Sequence, residues 1–186
     1  HTTITPCQKE YLLAFHKPAG IVCTTSKIDK NNVIDYLNFP ERIYPVGRLD
    51  KESTGLLLLT NNGQLMDDVL RGSNYHEKEY IVHVNKPITD SVLQAMAQGV
   101  PILDTITRPC KIRRMGKDCF YITLTQGLNR QIRRMCEYFD YRVTSLKRIR
   151  IMNIELGSLP VGKWRELTPS EIKTLKNLAQ NKGEAE

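Results

Sequence analysis

The sequence predicts an α+β domain around a largely antiparallel sheet, and three observations carry that prediction. Short runs of strand length, either apolar or alternating, recur along the chain and are separated by turn signals. One of them, "GLLLLT" (55–60), is continuously apolar, the pattern of a strand covered on both faces. Segments with helical periodicity are present but short, and hairpins outnumber the regular strand–helix alternation of a doubly wound fold. With 186 residues the chain is one domain, or two small lobes sharing a core.

Taken in order, "YLLAFHKPAGIVCTT" reads as two β-rich pieces broken at Pro18 and Gly20. "NNVIDYLN" is at most a short helix. After "GLLLLT" the chain turns at "NNG" and enters a helix whose Leu65, Met66, Val69 and Leu70 share a face, with Gly72 as its stop. "KEYIVHV" (78–84) alternates, placing Tyr80, Val82 and Val84 on one side. A helix follows over 89–98, stopped by Gly99. "CKIRRMGKDCFYITLTQ" is a hairpin turning near Gly116 with Phe120, Ile122 and Leu124 inward. "NRQIRRMCEYF" is a helix with Asn129 as N-cap. "TPSE" (168–171) is a capping box with Pro at the first helical position, which starts the last helix. The tail 181–186 reads as loose, and neither repeats nor an interior linker are visible.

Lys and Arg total 27 against 20 Asp and Glu, a formal charge of +7 that suits a polyanionic partner. No apolar run has the roughly 18 residues of a membrane helix, and no basic-then-apolar signal segment opens the chain. The start at His1 suggests that something precedes it. Cysteines at 7, 23, 110, 119 and 136 form no CxxC pair, so reduced cytosolic thiols and no metal site are expected.

On the helix 129–139 the apolar stripe is Ile132, Met135, Cys136 and Phe139. Arg130 and Arg134 point away from it, as a solvated basic face or as substrate contacts. Arg133 lies on its border, where a guanidinium is half-buried and wants an anionic partner. Asp50, in "VGRLDKESTG" before the leucine run, is the candidate. An arginine there holds the carboxylate ionised while burial opposes it. The attraction is roughly 4 kcal/mol at about 4 Å before desolvation is counted. Such a carboxylate is either a structural ion-pair member or a nucleophile.

Tyr80 is either a core aromatic or a stacking platform for a base. Arg48 is either a loop charge or a filler of the space a flipped base vacates. "KIRR" (111–114), "RQIRR" (130–134) and "KRIR" (147–150) are basic clusters able to track phosphates. Asp50 and Glu52 are too close in sequence for the opposed carboxylates of a glycosidase. Asp67 and Asp68 lack ligand spacing, and no phosphate-cradling glycine loop is present.

Together these segments resemble the pseudouridine synthases of the small-subunit-rRNA-type branch. "HKPAGIVCTT" is similar to the family's first motif, "VGRLDKESTGLLLLTNNG" to its catalytic motif, "HEKEYIVHV" to its KxY motif and "QGLNRQIRRM" to its third. The resemblance runs in the family's order from about Tyr11 to the final helix. Within the branch, "HEKEY", "GLNRQIRRMCE" and "RIRIMNI" most resemble the enzymes acting on 23S large-subunit rRNA.

The resemblance implies a two-lobed domain around a mixed, mainly antiparallel sheet, with the cleft between the lobes. It implies Asp50 as nucleophile, Tyr80 stacked on the target base and assisting removal of the C5 proton, and Arg133 paired with Asp50. Arg48 would hold the nucleotide out of the stack, and Lys78, Arg130 and Arg134 would contact substrate. It implies RNA as partner (23S rRNA, with a tRNA as second substrate left open), no metal and no cofactor; no membrane and a monomer are expected. The route of attack, at C1′ of the ribose or C6 of the ring, stays open. Many relatives carry His where Arg130 stands, so any role of that His does not carry over. Relatives also carry an N-terminal S4-type RNA-binding domain, which this chain lacks; 1–186 is then one catalytic domain with weakened RNA affinity.

Three other readings compete. A non-catalytic RNA-binding module would bind RNA without Asp50 and form no product. A hydrolytic N-glycosidase would release free uracil. A structural ribosomal protein would be smaller, more basic and without a reactive cleft.

Overall fold

The structure is a computed structural model describing residues 9–26, 28–71 and 75–180. The predicted Gly72 stop, Cys7 and the 181–186 tail lie outside the described residues. The leucine run sets the centre of the fold, as β3 (Thr54–Thr60). Leu56 and Leu58 enter one core with Leu12, Ala14, Leu65 and Leu175. Leu57 and Leu59 enter another with Leu13, Phe15, Val33 and Leu49. A strand that reads apolar at every position is thus covered on both faces, as its composition demands.

On one side β3 pairs antiparallel with β1 (Leu12–Lys17), and β11 (Trp164–Glu166) closes that edge. On its other side it meets β9 (Val143–Ile151) in parallel, Gly55 opposite Arg148. From β9 the sheet continues antiparallel through β4 (Lys78–Val84), β8 (Cys119–Leu124) and β7 (Lys111–Gly116). The order is β11-β1-β3-β9-β4-β8-β7, with β2 (Tyr44–Pro45) beside β3 and β10 (Ile154–Glu155) beside β9. The sheet is therefore mixed and mainly antiparallel, and the β3–β9 contact is its seam. Gly55 is required at that seam. Its φ is +111°, and a Cβ there would overlap the carbonyl oxygen of Arg148 and lie 2.6 Å from its nitrogen.

Beyond the seam, α3 (Asp90–Gln98) and α4 (Gln131–Tyr138) pack Met96, Ile132, Met135 and Cys136 against Val82, Phe120 and Ile122. On the near side, α2 (Gly63–Leu70) and α5 (Pro169–Gln180) cover β3 and β1. Two lobes share one sheet. Tyr80 packs against both the far core and the near core that holds Leu49.

Some local expectations shift. In α2, Leu65 and Val69 are buried but Leu70 is 45% exposed, because α2 is short and covers the core with only one edge. The N-cap of α4 is Arg130, in the left-handed region at φ 50°, rather than Asn129. Asn129 instead accepts Arg134 Nε on its carbonyl and Nη2 on its Oδ1, at 2.9 and 2.8 Å. The basic run 147–150 is the interior of β9. There Arg148 is buried, and Arg150 pairs with Glu77 and Glu79 at 3.1 Å each. The short hairpin of β5 (Pro101–Ile102) and β6 (Thr105–Ile106) had no sequence signal.

The capping box forms as expected. Glu171 N donates to Thr168 Oγ1 at 3.1 Å and Thr168 N to Glu171 Oε1 at 2.8 Å. Arg165 adds a bidentate clamp at 2.7 and 2.8 Å, and that clamp above all holds Glu171 down to about 2, against burial. A depressed carboxylate stabilises the fold above its ordinary pKa of 4.5 and loses that contribution as pH falls from there toward about 2. Glu171→Gln should therefore cost about 1 kcal/mol near neutrality, and the cost should vanish in that acid window. Urea denaturation of both proteins across the acid range measures it.

Candidate active site

The loop before β3 is held from behind by the first motif. Lys17 ends the apolar strand β1 fully buried, and its ammonium donates to the carbonyls of Pro18, Lys51 and Ser53 at 2.9, 3.1 and 2.7 Å. Burial lowers its pKa, with Cys23, Glu52 and Asp50 acting in the opposite direction. Gly20 N donates to Lys51 O at 2.7 Å, Leu49 N to Cys23 Sγ at 3.3 Å, and Ser53 N closes a turn on Asp50 O at 3.0 Å. These bonds fix the backbone of residues 49–53 and leave the Asp50 side chain 30% exposed. Sequence reasoning missed Lys17 and Ser53. The signal was a lysine at the end of a strand that opens with four apolar residues, directly before Pro-Ala-Gly.

From the far lobe, α4 brings its arginines to the same carboxylate. Ile132, Met135 and Cys136 anchor the helix in the core, so Arg133 emerges at the border that the helical wheel assigns. Its Nε donates to Asp50 Oδ2 at 3.3 Å and its Nη2 to Ser53 Oγ at 3.1 Å, with the side chain 12% exposed. Arg130 reaches the same Oδ2 and Glu52 Oε1, each at 3.5 Å, from a more exposed position. Both guanidinium groups engage Oδ2, and no donor of a described residue reaches Oδ1. The carboxylate is clamped by one oxygen and presents the other.

Tyr80, on β4, stands half-buried where the two cores meet, with the Arg148 guanidinium carbon 6.0 Å from its ring centroid. Lys78 lies two residues earlier on the same face of the strand. Arg48 is exposed beside the loop. Arg134 is tied back to Asn129. The 111–114 cluster is largely neutralised within the protein, Lys111 by Glu77 at 3.2 Å and Arg114 by Asp90 at 2.7 Å. Among the described residues no group of three or more His, Cys, Asp or Glu could hold a metal, and no helix is long and apolar enough to cross a membrane.

An arginine-clamped aspartate where two lobes meet on one mixed sheet agrees with the resemblance to the pseudouridine synthases that the motifs carry. A model of the RNA pseudouridylate synthase family matches residues 11–138, and the chain belongs to it. It is 53% identical over 169 residues to the "Dual-specificity RNA pseudouridine synthase RluF" of Salmonella typhi, covering 91% of this chain and 58% of that protein. It is 34% identical over 175 residues to the "Ribosomal large subunit pseudouridine synthase B" of Bacillus subtilis, covering 89% of this chain and 71% of that protein. A solved structure described as "Crystal structure of pseudouridylate synthase" superposes with a TM-score of 0.83 at 30% identity, over 92% of this chain and 76% of that one. The chain thus spans less than two thirds of the length of the RluF relative. The family and the fold inferred from the motifs are borne out.

Proposed function

We propose that the protein isomerises specific uridines in RNA to pseudouridine, with 23S rRNA as its main substrate and tRNA as a second. The observation that carries this reading is Asp50, clamped through Oδ2 while Oδ1 meets no donor among the described residues. The target uridine leaves its stack, at a cost of a few kcal/mol that is smaller in a loop. Arg48 fills the space it leaves, and Tyr80 stacks on the ring. Asp50 Oδ1 attacks the nucleoside, the C1′–N1 bond breaks, the ring turns in the site, C5 bonds to C1′ as the bond to Asp50 breaks, and the C5 proton departs while N1 takes up a proton. Arg133 holds the attacking geometry. Arg130 and Arg134 face the RNA backbone, and residues 1–186 act as one catalytic domain, monomeric and cytoplasmic.

Tritium release from C5-labelled uridine in rRNA transcripts tests the reading. Release together with pseudouridine in the digested RNA supports it, whereas free uracil would identify a hydrolase. RNA binding without either product would identify a binding module. Arg133→Lys keeps the charge but cannot bond Asp50 and Ser53 at once. It should lower kcat by about 10²-fold with little change in RNA affinity or Tm. A matching fall in affinity would move Arg133 from positioning to substrate binding.

A further inference from the structure

The positive charge around Tyr80 is out of balance. Arg133 and Arg130 answer to Asp50, but Arg148 and Lys78 have no such anion. Arg148 is 3% exposed and donates Nε to the Leu56 carbonyl at 2.9 Å. Its Nη2 is also buried and meets no acceptor among the described residues. Lys78 is half-buried, and its ammonium makes no hydrogen bond or ion pair among them. Burial and the neighbouring Arg148 pull its ammonium down to about 8. Tyr80 stands between the two, opposite Arg148 in the β4–β9 ladder and on the face of β4 that carries Lys78. Buried like charges destabilise each other, and a buried guanidinium NH2 is ordinarily bonded. The arrangement is explained if an anion completes it.

We propose that Lys78 and the Nη2 of Arg148 form a subsite that holds the uracil ring while it is negatively charged. The inference rests on the reading of the site as a uridine isomerase. When the C1′–N1 bond breaks after Asp50 bonds to C1′, the electron pair stays on the ring, spread over N1, O2 and O4. Attack at C6 instead places the charge on C5 and O4. Either route makes an anionic ring stacked on Tyr80, beside two cations that need a partner. When the ring rejoins, its electron pair forms the C5–C1′ bond as the bond to Asp50 breaks; the C5 proton is then lost to solvent and N1 takes up a proton, so the product ring is neutral. Because these donors meet charge that develops during the reaction, they accelerate the chemical step rather than substrate capture.

Two measurements decide it. In single-turnover reactions, Lys78→Met should slow conversion of uridine RNA by about 10²-fold. The loss should be clearly smaller on 5-fluorouridine RNA, because fluorine already stabilises the ring's negative charge. Equal losses on both RNAs would show a merely structural role and overturn the proposal. The second measurement needs no turnover. NMR titration with uridine 5′-monophosphate and its 6-aza isostere, whose ring ionises near neutral pH, should show tighter binding of the anionic ring. Lys78→Met should remove that preference. Equal affinities in the wild type, or a preference that survives in the variant, would sink the subsite even if the isomerase reading stands. A wild type that forms no pseudouridine would sink the isomerase reading, while the titration still decides whether the cleft holds anions.

Discussion

Asp50→Asn should abolish tritium release, by at least about 10⁴-fold, while leaving the fold intact. Asparagine keeps the size and the Oδ acceptor that faces Arg133, and Arg133 retains its second bond to Ser53 at 3.1 Å. The loop backbone is held by Lys17 and Gly20, neither of which depends on the Asp50 side chain. The amide lacks the charge that makes Oδ1 a nucleophile. RNA affinity should stay within a few-fold of the wild type or rise slightly, since on the proposed function a negative charge has left a site that receives a polyanion. Equal tritium release from both proteins would leave the isomerase reading in place and remove Asp50 from its centre.

Gly55→Ala should be the most destabilising single-methyl change available, at roughly 3 kcal/mol or more. Two costs combine there. The φ of +111° lies in a region that L side chains rarely adopt, and the added Cβ meets Arg148 backbone on the adjacent strand, which cannot swing aside. The seam would open, and with it the distance between the Asp50 loop and the lobe that carries Tyr80, Arg133 and Arg148. Gly63→Ala is the control. Gly63 is the first residue of α2, and a methyl added there would have nothing within 4 Å, so alanine should be neutral or stabilising by a few tenths of a kcal/mol. Chemical denaturation of the two variants against the wild type makes the comparison, and similar losses at both sites would mean that the β3–β9 contact does not organise the fold.

Much of the near lobe and of α4 is legible in the sequence because their periodicities are undisturbed. The leucine run can only be a doubly covered strand, and the α4 stripe places Arg133 at a border before any partner is visible. "TPSE" encodes its helix start by local hydrogen bonding alone. By contrast β9 reads as a basic cluster. Its buried positions are Val143, Leu146, Arg148 and Ile151, and register shifts at Glu79/Tyr80 and His83/Val84 accompany that irregular spacing. An alternation broken by bulges leaves no period-2 signal, and a buried arginine looks like a solvated one. Asn129 has a side chain that suits a cap, yet that side chain is engaged by Arg134, and Arg130 takes the position in a left-handed conformation that no local rule anticipates.

The motifs and their order were enough to determine the family, the strand and helix types of most segments, and Asp50, Tyr80 and Arg133 as the candidates for the site. These depend on local periodicity, capping and residue chemistry, which are properties of neighbours along the chain. The tertiary structure alone decided the parallel seam at Gly55 and Arg148, the three-carbonyl hold of Lys17 behind the Asp50 loop, and the clamp on Oδ2 that leaves Oδ1 without a donor among the described residues. Each is a contact between segments far apart in sequence, formed only when burial of both faces of β3 brings the two lobes onto one sheet.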